Sequence, residues 1–304
     1  MSKSPARRKL TRRPWFKELQ SWMYVVPALL LISIFVIYPL IKVIRMSFYS
    51  NYNYIMEIGT GFGMKSYKYV LSDSVFRSAL KNTVVILGVG LPISMVLAIA
   101  FSALINTRTK SYGFFQTVYF IPYVTSTIAI GVVFRTLFHS EYGYVNNLLM
   151  KMFGVSYNWL GTPSLAIWVV TFFYIWNGLA FKVVVLLAGF KRIDQQVYKA
   201  AKIDCSTPWR TFRKITLPLL SPTLWMLLIV SVIYAFKLYT EIFALFNGTA
   251  GPANSAMTMV YYIYEMFYVR GQVHYASAAS VILFLIIMAV TVVQKAVASK
   301  FTHY

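Results

Sequence analysis

The chain has 304 residues, of which 59% are hydrophobic and only 12% are charged, with 29 basic residues against 8 acidic ones. Soluble domains are about 25% charged, so the composition excludes an ordinary soluble protein and indicates a large polytopic membrane protein. The net charge of +21 does not indicate nucleic-acid binding, because the basic residues cluster between apolar blocks and no matching motif is present. The single cysteine, Cys205, excludes an intrachain disulfide, and the three histidines are scattered without metal-ligand spacing.

Six apolar segments are long enough to cross a bilayer, which takes about 20 residues each. In chain order the predicted spans are residues 23–43, 83–105, 114–137, 165–190, 219–245 and 277–297. We therefore expect an all-α fold, with a basic N-terminal tail over 1–20 and a six-helix transmembrane domain over 21–304. Pro122 is expected inside the third span.

The basic residues follow a pattern along these segments. They concentrate in the N-terminal tail, in residues 106–110, in residues 191–218 and at the C-terminal end. Because loops rich in Lys and Arg stay in the cytoplasm, we expect both termini to be cytoplasmic. An even number of spans places both termini on one side of the membrane, which agrees with this expectation.

The longest polar interruption, residues 191–218, holds seven basic and two acidic residues. Asp194 is expected to cap a helix over 195–203. Thr207 is expected to cap a second helix, with Pro208 at its first position. A basic amphipathic loop of this kind often lies on anionic lipid headgroups, whereas the small residues of its first helix suit packing against another protein.

The same loop carries the residues of a known pattern. AAKIDCSTPWRTFRKITLPLL resembles the cytoplasmic loop of binding-protein-dependent ABC importer permeases. Seven positions match that pattern in register: Ala200, Ala201, Asp204, Phe212, Ile215, Leu217 and Pro218. Two positions depart from it, since Lys199 stands in place of the family's Glu and Cys205 in place of its Gly. Pro218 is expected to stop the second helix or to bend it into the fifth span.

The resemblance implies a type I ABC importer permease fold, in which this loop docks into an ATPase. The residues it assigns to that coupling are Lys199, Ala200, Ala201, Asp204, Cys205, Phe212 and Pro218. It further implies a second permease subunit, an ATPase dimer that binds ATP and Mg, and an extracytoplasmic solute-binding protein, with no cofactor on this chain. Residues 236–268 resemble the corresponding segment of carbohydrate permeases of the maltose, lactose and multiple-sugar type. A carbohydrate, and in particular an oligosaccharide, is the implied substrate.

A substrate path is expected in the fourth and fifth spans. Trp176, Asn177 and Gly178 interrupt the apolar run of the fourth span, and Ser231 and Tyr234 share a face of the fifth. The resemblance places sugar-contacting positions near Gly178, Phe181 and Ser231. The ionisable residues Lys237 and Glu241 also mark this path, because charges inside a span are costly. Alternatively, Lys237 pairs with Glu241 while Lys182 extends toward the headgroups.

Two other functions stay open from the residues. A permease for glycerol-phosphate or another small solute fits the same topology. An integral membrane glycosyl or lipid transferase would need paired carboxylates or a histidine with a nucleophile, and the eight acidic residues show no such pairing. The chain has no GxxxxGK[ST] motif, so we expect no ATPase activity from it. The expected location is the bacterial plasma (inner) membrane, in contact with its lipids.

Overall fold

A computed structural model describes residues 14–107, 123–204 and 206–301. Five of its helices are long and apolar enough to cross a membrane. They are Gln20–Ser47, Ser74–Asn106, Pro163–Arg192, Pro208–Phe236 and Val273–Lys300, here called the first, second, fourth, fifth and sixth spans. The third span is described from residue 123 onward and contains the apolar helix Thr127–Leu137. The expected all-α arrangement of six spans agrees with this; most of the basic tail, Pro122 and Cys205 lie outside the described residues.

Three of the long helices contain a five-residue π-helical segment that lies just before a proline. These segments are Ser33–Ile37 before Pro39, Ile86–Gly90 before Pro92 and Phe212–Thr216 before Pro218. In each case the residue four positions before the proline is the central residue of the segment. Proline removes the hydrogen bond to that residue and its ring crowds the carbonyl, so a widened turn lets the helix continue. Pro218 therefore does not stop its helix, which runs unbroken from Pro208 to Phe236.

The fifth span ends earlier than expected. The prediction of one helix over 219–245 is wrong, because the helix ends at Phe236 and a separate short helix covers Thr240–Leu245. That short helix packs against the third span at Gly131, where a Cβ atom would lie 2.4 Å from the Cβ of Ala244. The absence of a side chain at Gly131 permits this close approach, and the contact fixes the chain after the break.

At one end of the spans, the connecting segments form ordered structure, and we call this end the hairpin end. Strands Tyr49–Asn53 and Ile58–Phe62 pair antiparallel, with Tyr49 opposite Phe62. The remaining elements are the helices Lys65–Ser72, Tyr144–Phe153, Gln195–Ile203 and Met259–Tyr264, the 3-10 turn Pro252–Asn254 and the π-helical segment Glu265–Val269. Of these, only Gln195–Ile203 lies at the opposite end, which we call the loop end.

Side chains of the second span hold the segment that precedes the sixth span. The amide of Asn82 donates to the carbonyls of Ser255 and Met257 at 3.0 and 2.9 Å. The hydroxyl of Thr258 donates to the carbonyl of Leu238 at 2.6 Å, just after the fifth span ends. Backbone groups that leave a helix need such partners when they are buried. These bonds explain why the chain turns at residues 237–239 instead of continuing as a helix.

The fourth span is the centre of the bundle. Half of its apolar window is buried, against none of the corresponding window of the first span. Phe173, Tyr174 and Leu186 are fully buried in it and contribute to two neighbouring hydrophobic clusters. Most side chains of the first span are exposed, as expected for contact with lipid or with another membrane subunit, and only its end at Met46 and Ser47 is buried.

Candidate functional site

A cavity of about 410 Å³ lies between the third, fourth and fifth spans. The residues that line it are Tyr123, Thr127, Asn177, Gly178, Phe181, Lys182, Val230, Ser231 and Tyr234. On the fourth span, Gly178, Phe181 and Lys182 lie one, four and five residues after Asn177. On the fifth span, Ser231 and Tyr234 lie one and four residues after Val230. Residues three to four apart lie on the same helix face, so each span presents one continuous face to the cavity.

One wall of the cavity is aromatic. The rings of Tyr123 and Phe181 are stacked, with centroids 5.5 Å apart and planes inclined by 22°. Flat ring faces of this kind contact the C–H surfaces of sugars, and a few fixed polar groups beside them bind hydroxyls. The wall therefore offers a platform for a ring-shaped polar ligand.

The cavity lining also includes members of a chain of hydrogen bonds between the fourth span and the segment from the fifth span to Glu241. The amide nitrogen Nδ2 of Asn177 donates to the hydroxyl of Tyr234 at 2.8 Å, and that hydroxyl donates to the carboxylate of Glu241. Tyr174 donates to the backbone carbonyl of Ser231 at 3.1 Å, and its ring stacks on Tyr234. Tyr234 lies in the middle of this chain, and its hydroxyl is bonded to a residue on each side. Its ring and hydroxyl are therefore positioned before any ligand arrives.

Lys182 lies at the same cavity and is only 2% exposed. Its ammonium group donates to the carbonyl of Gly178 at 3.3 Å and lies 5.4 Å from the centre of the Tyr174 ring. The expectation that Lys182 extends toward the headgroups is wrong. The face of the Tyr174 ring attracts the ammonium group, and this attraction adds to its weak hydrogen bond with the Gly178 carbonyl.

The structure brings together five of the eight residues predicted for the substrate path: Asn177, Gly178, Phe181, Ser231 and Tyr234. Trp176 faces away and packs against Phe134, with ring centroids 5.3 Å apart. Lys237 is exposed beyond the end of the fifth span. Glu241 is 5% exposed and binds the hydroxyl of Tyr234, so the alternative of a pair between Lys237 and Glu241 is wrong.

Besides Lys182, three lining residues were not predicted from the sequence: Tyr123, Thr127 and Val230. Val230 precedes Ser231 and is four residues before Tyr234, so helical spacing alone places it on the same face. Tyr123 and Thr127 are four residues apart, but the helix is interrupted between them at residues 125–126, so spacing alone does not place them on one face. Nothing in the sequence indicates which side of the third span meets the fourth, since that depends on how the helices pack.

The loop at the other end of the fourth span folds as two capped helices. The Asp194 carboxylate accepts from the backbone N–H of Gln196 at 2.9 Å, at the start of the helix Gln195–Ile203. The hydroxyl of Thr207 accepts from the backbone N–H of Arg210, at the start of the next helix. Both predicted caps are confirmed. They satisfy N–H groups that a helix start otherwise leaves without a partner.

The loop is attached to the bundle by one face. Ala201 is 5% exposed, and the hydroxyl groups of Tyr198 and Thr216 are 3.2 Å apart. A cavity of about 390 Å³ remains between the loop and the second span, and Ala103 and Asn106 are among its lining residues. The loop is therefore positioned by contacts to the spans and is not a free connector.

The other face of the loop is exposed. Lys199 and Ala200 are exposed, as is Asp204. Two large apolar side chains also face outward, since Ile203 is 82% exposed and Trp209 is 70% exposed. Among the residues assigned to coupling, Phe212 packs toward the bundle and Pro218 continues the fifth span. Apolar side chains on a basic, exposed loop are typical of a protein-binding surface.

Taken together, the spans, the central cavity and the attached loop define the membrane subunit of a transporter. Residues 90–303 match the family described as binding-protein-dependent transport system inner membrane component, and the chain belongs to this family. The expected ABC importer permease fold is therefore confirmed.

The chain is similar to several transport permeases over nearly its whole length. It is 31% identical to the lactose transport system permease protein LacF of Rhizobium radiobacter, covering 92% of this chain and 94% of the relative. It is 29% identical to the trehalose/maltose transport system permease protein MalF of Thermococcus litoralis, covering 93% of this chain and 95% of the relative. Its fold resembles a chain in the crystal structure of a bacterial ABC transporter involved in the import of the acidic polysaccharide alginate. That likeness has a TM-score of 0.83 at 21% identity and covers 96% of this chain and all of that one.

Proposed function

We propose that this chain is the permease subunit of an ATP-driven importer that carries a carbohydrate, in particular an oligosaccharide, across the bacterial plasma membrane. The observation that carries the proposal is the cavity between the third, fourth and fifth spans. Its stacked Tyr123 and Phe181 rings suit a sugar face, and Asn177, Ser231 and Tyr234 supply polar groups for hydroxyls. The sugar-transporting relatives support the same substrate class.

ATP hydrolysis is assigned to a separate subunit, which binds ATP and Mg, and this chain is assigned the translocation path. The exposed face of the loop over 191–218 is the proposed contact with that ATPase. Its coupling residues Lys199, Ala200 and Asp204 are exposed on that face, together with Ile203 and Trp209. The transferase alternative loses its support, since the chain belongs to a transport family.

The geometry supports a direct mechanical link between the loop and the cavity. The helices Pro163–Arg192 and Pro208–Phe236 lead into and out of the loop. The same two helices line most of the cavity. Lys182 is ten residues from Arg192, or about 15 Å along the helix at 1.5 Å per residue. The two spans pack closely at the loop end, where a Cβ on Gly189 would lie 3.0 Å from the Leu220 side chain. Movement of the loop therefore turns both helices and changes the cavity walls.

The rest of the assembly is proposed around this fold. A second permease subunit is assigned to the exposed side of the bundle, so that the path lies between two halves. An extracytoplasmic solute-binding protein would deliver sugar at the hairpin end, and both termini would lie in the cytoplasm. Alternating access then consists of the two halves rocking around the cavity as the ATPase dimer opens and closes.

Reconstitution of the complete transporter tests this function. The chain, its second permease, the ATPase and the binding protein are placed in proteoliposomes, and uptake of labelled oligosaccharides is measured with and without internal ATP. We expect uptake only with ATP and with all subunits present. Uptake by this chain alone without ATP, or no uptake of any carbohydrate by the complete assembly, would contradict the proposal.

A further inference from the structure

The buried amine of Lys182 has no acidic partner in the part of the chain that the structure describes. The ion pairs found there join Lys42 to Glu57 and Arg270 to Glu265. An ammonium group has three N–H donors, and the structure gives Lys182 one weak acceptor, the Gly178 carbonyl at 3.3 Å. Two donors are therefore without an acceptor among the described residues.

The described carboxylates that do not form ion pairs have other roles or lie on the surface. Asp73 and Asp194 cap helices, Glu241 accepts from Tyr234, and Glu141 and Asp204 are exposed. Glu241 is not among the residues that line the cavity, whereas its partner Tyr234 is. No described carboxylate therefore competes for the Lys182 amine.

Gly178 provides the space that the amine occupies. A Cβ atom on Gly178 would lie 2.7 Å from the nitrogen Nζ of Lys182, which is closer than non-bonded atoms approach. Both residues line the cavity, one helical turn apart on the fourth span. The amine is thus held close to the helix backbone at a cavity that Asn177 and Phe181 also line.

A buried ammonium group without a counter-charge is unfavourable, because burial removes the water that solvates it. Charged residues inside membrane spans for this reason pair with another charge or mark the path of a charged solute. An anion in the cavity would supply the missing partner, through hydrogen bonds between charged groups that are stronger than those to a neutral hydroxyl.

We propose that Lys182 binds a negatively charged group of the transported sugar, so that the substrate is an acidic carbohydrate. This inference rests on the proposed carbohydrate function and narrows its substrate class. The Tyr123 and Phe181 rings contact the sugar face, Asn177 and Tyr234 bind hydroxyls, and Lys182 binds a carboxylate or a phosphate.

The test compares matched neutral and anionic sugars on the complete transporter in lipid nanodiscs. The probes are a labelled α-1,4-linked galactose trisaccharide, the corresponding trigalacturonate and a monophosphate ester of the neutral trisaccharide. Equilibrium binding is measured without the solute-binding protein, which has a selectivity of its own. The carboxylate and phosphate probes distinguish the two sources of negative charge.

We expect the wild type to prefer an anionic probe over the neutral one. Loss of a hydrogen bond between charged groups costs on the order of tenfold to a hundredfold in affinity, so Lys182→Met is expected to weaken anionic binding by that factor. The affinity of Lys182→Met for the neutral probe is expected to stay within about threefold of the wild-type affinity. Lys182→Arg keeps the charge and is expected to keep the preference, and Lys237→Met, at an exposed lysine outside the cavity, is expected to change neither.

Two outcomes would overturn the inference and leave the carbohydrate function in place. In one, the wild type binds neutral and anionic probes equally well. In the other, Lys182→Met weakens both by the same factor, as it would if the amine paired with a carboxylate of the second permease. Failure of every probe to bind, together with no carbohydrate uptake by the complete assembly, would instead reject the proposed function itself.

Discussion

The carboxylate of Asp73 joins two segments that lie 189 residues apart in the sequence, because it accepts a hydrogen bond from the hydroxyl of Tyr262 at 2.7 Å. Its other oxygen accepts from the backbone N–H of Val75 at 2.9 Å and so caps the second span. Burial and the bond to Asp73 raise the pKa of Tyr262, so its hydroxyl stays protonated and continues to donate at physiological pH. A single carboxylate thus fixes the start of the second span against the helix Met259–Tyr264.

Removal of the Tyr262 hydroxyl is expected to destabilise the hairpin end. A hydrogen bond to a charged group contributes about 1.5–3 kcal/mol, so Tyr262→Phe is expected to lower the free energy of unfolding by about that amount. Asp73→Ala is expected to cost more, because it also removes the helix cap. Thermal unfolding of the purified protein in detergent measures both effects. Tyr268→Phe is the control, since Tyr268 is 73% exposed; a Tyr262→Phe variant as stable as this control would show that the bond contributes little.

The aromatic wall of the cavity is expected to contribute to sugar affinity. Phe181→Ala removes the ring that stacks on Tyr123. An aromatic contact contributes about 0.5–1.5 kcal/mol beyond the buried area, so we expect affinity for the transported sugar to fall roughly twofold to tenfold or more. Concentration-dependent uptake by the complete transporter measures this change.

Phe284→Ala is the matched control for the aromatic wall. Phe284 is 49% exposed on the sixth span and does not line the cavity. We expect this variant to transport with wild-type affinity. Equal loss of affinity in both variants would show that the effect comes from general loss of packing and not from the cavity.

The position of the Lys182 amine is expected to depend on Gly178. A Cβ at position 178 would lie 2.7 Å from the amine, and the end of a flexible lysine side chain can move away. Gly178→Ala is therefore expected to leave the protein folded, with stability unchanged or raised by up to about 1 kcal/mol, as Ala is favoured over Gly inside helices. Affinity for an acidic sugar is expected to fall severalfold in the binding assay with matched probes.

Gly88→Ala provides the control for this substitution. Gly88 lies in the π-helical segment of the second span, and a Cβ there would meet nothing within 4 Å. We expect sugar binding by this variant to be unchanged. If Gly178→Ala bound the acidic probe as well as Gly88→Ala does, the amine would not need its present position.

The exposed apolar side chains of the loop are expected to bind the ATPase. Burial of an isoleucine side chain contributes about 1.5–3 kcal/mol, so Ile203→Asp is expected to reduce co-purification of the ATPase by on the order of tenfold or more. Gln195→Asp places the same charge at an exposed position in the first turn of the same helix, where an acidic residue is tolerated. Co-purification equal to that of Gln195→Asp would contradict a contact through Ile203.

Loss of the loop itself is expected to uncouple the chain from its energy source. Asp204→Ala or deletion of residues 199–207 is expected to abolish ATP-dependent uptake while the protein still inserts into the membrane. Uptake and membrane-fraction abundance, measured side by side, separate coupling from insertion. Unchanged uptake would count against docking by this loop.

The sequence predicted the elements of this protein more accurately than their ends. Hydropathy located the spans, and the residues Asp194 and Thr207 predicted two helix starts that the structure confirms. These features are local, since a cap depends on one side chain and the N–H groups two or three residues further on. The predicted end of the fifth span was wrong because that end depends on the hydrogen bond from Thr258 to the Leu238 carbonyl. Nothing in the sequence around either residue indicates this bond.

The sequence by itself determined the class of protein, because span length, loop charge and the spacing of Ala200, Ala201 and Asp204 are all properties read along the chain. It also indicated Asn177, Gly178, Phe181, Ser231 and Tyr234 as one group, through helical spacing and resemblance. Only the tertiary structure decided that Tyr123 and Thr127 complete the cavity and that Lys182 is buried at its wall without a described acidic partner. The physical reason is that helix rotation and crossing are set by packing between spans, and an amine's partners are known only once those spans are in contact.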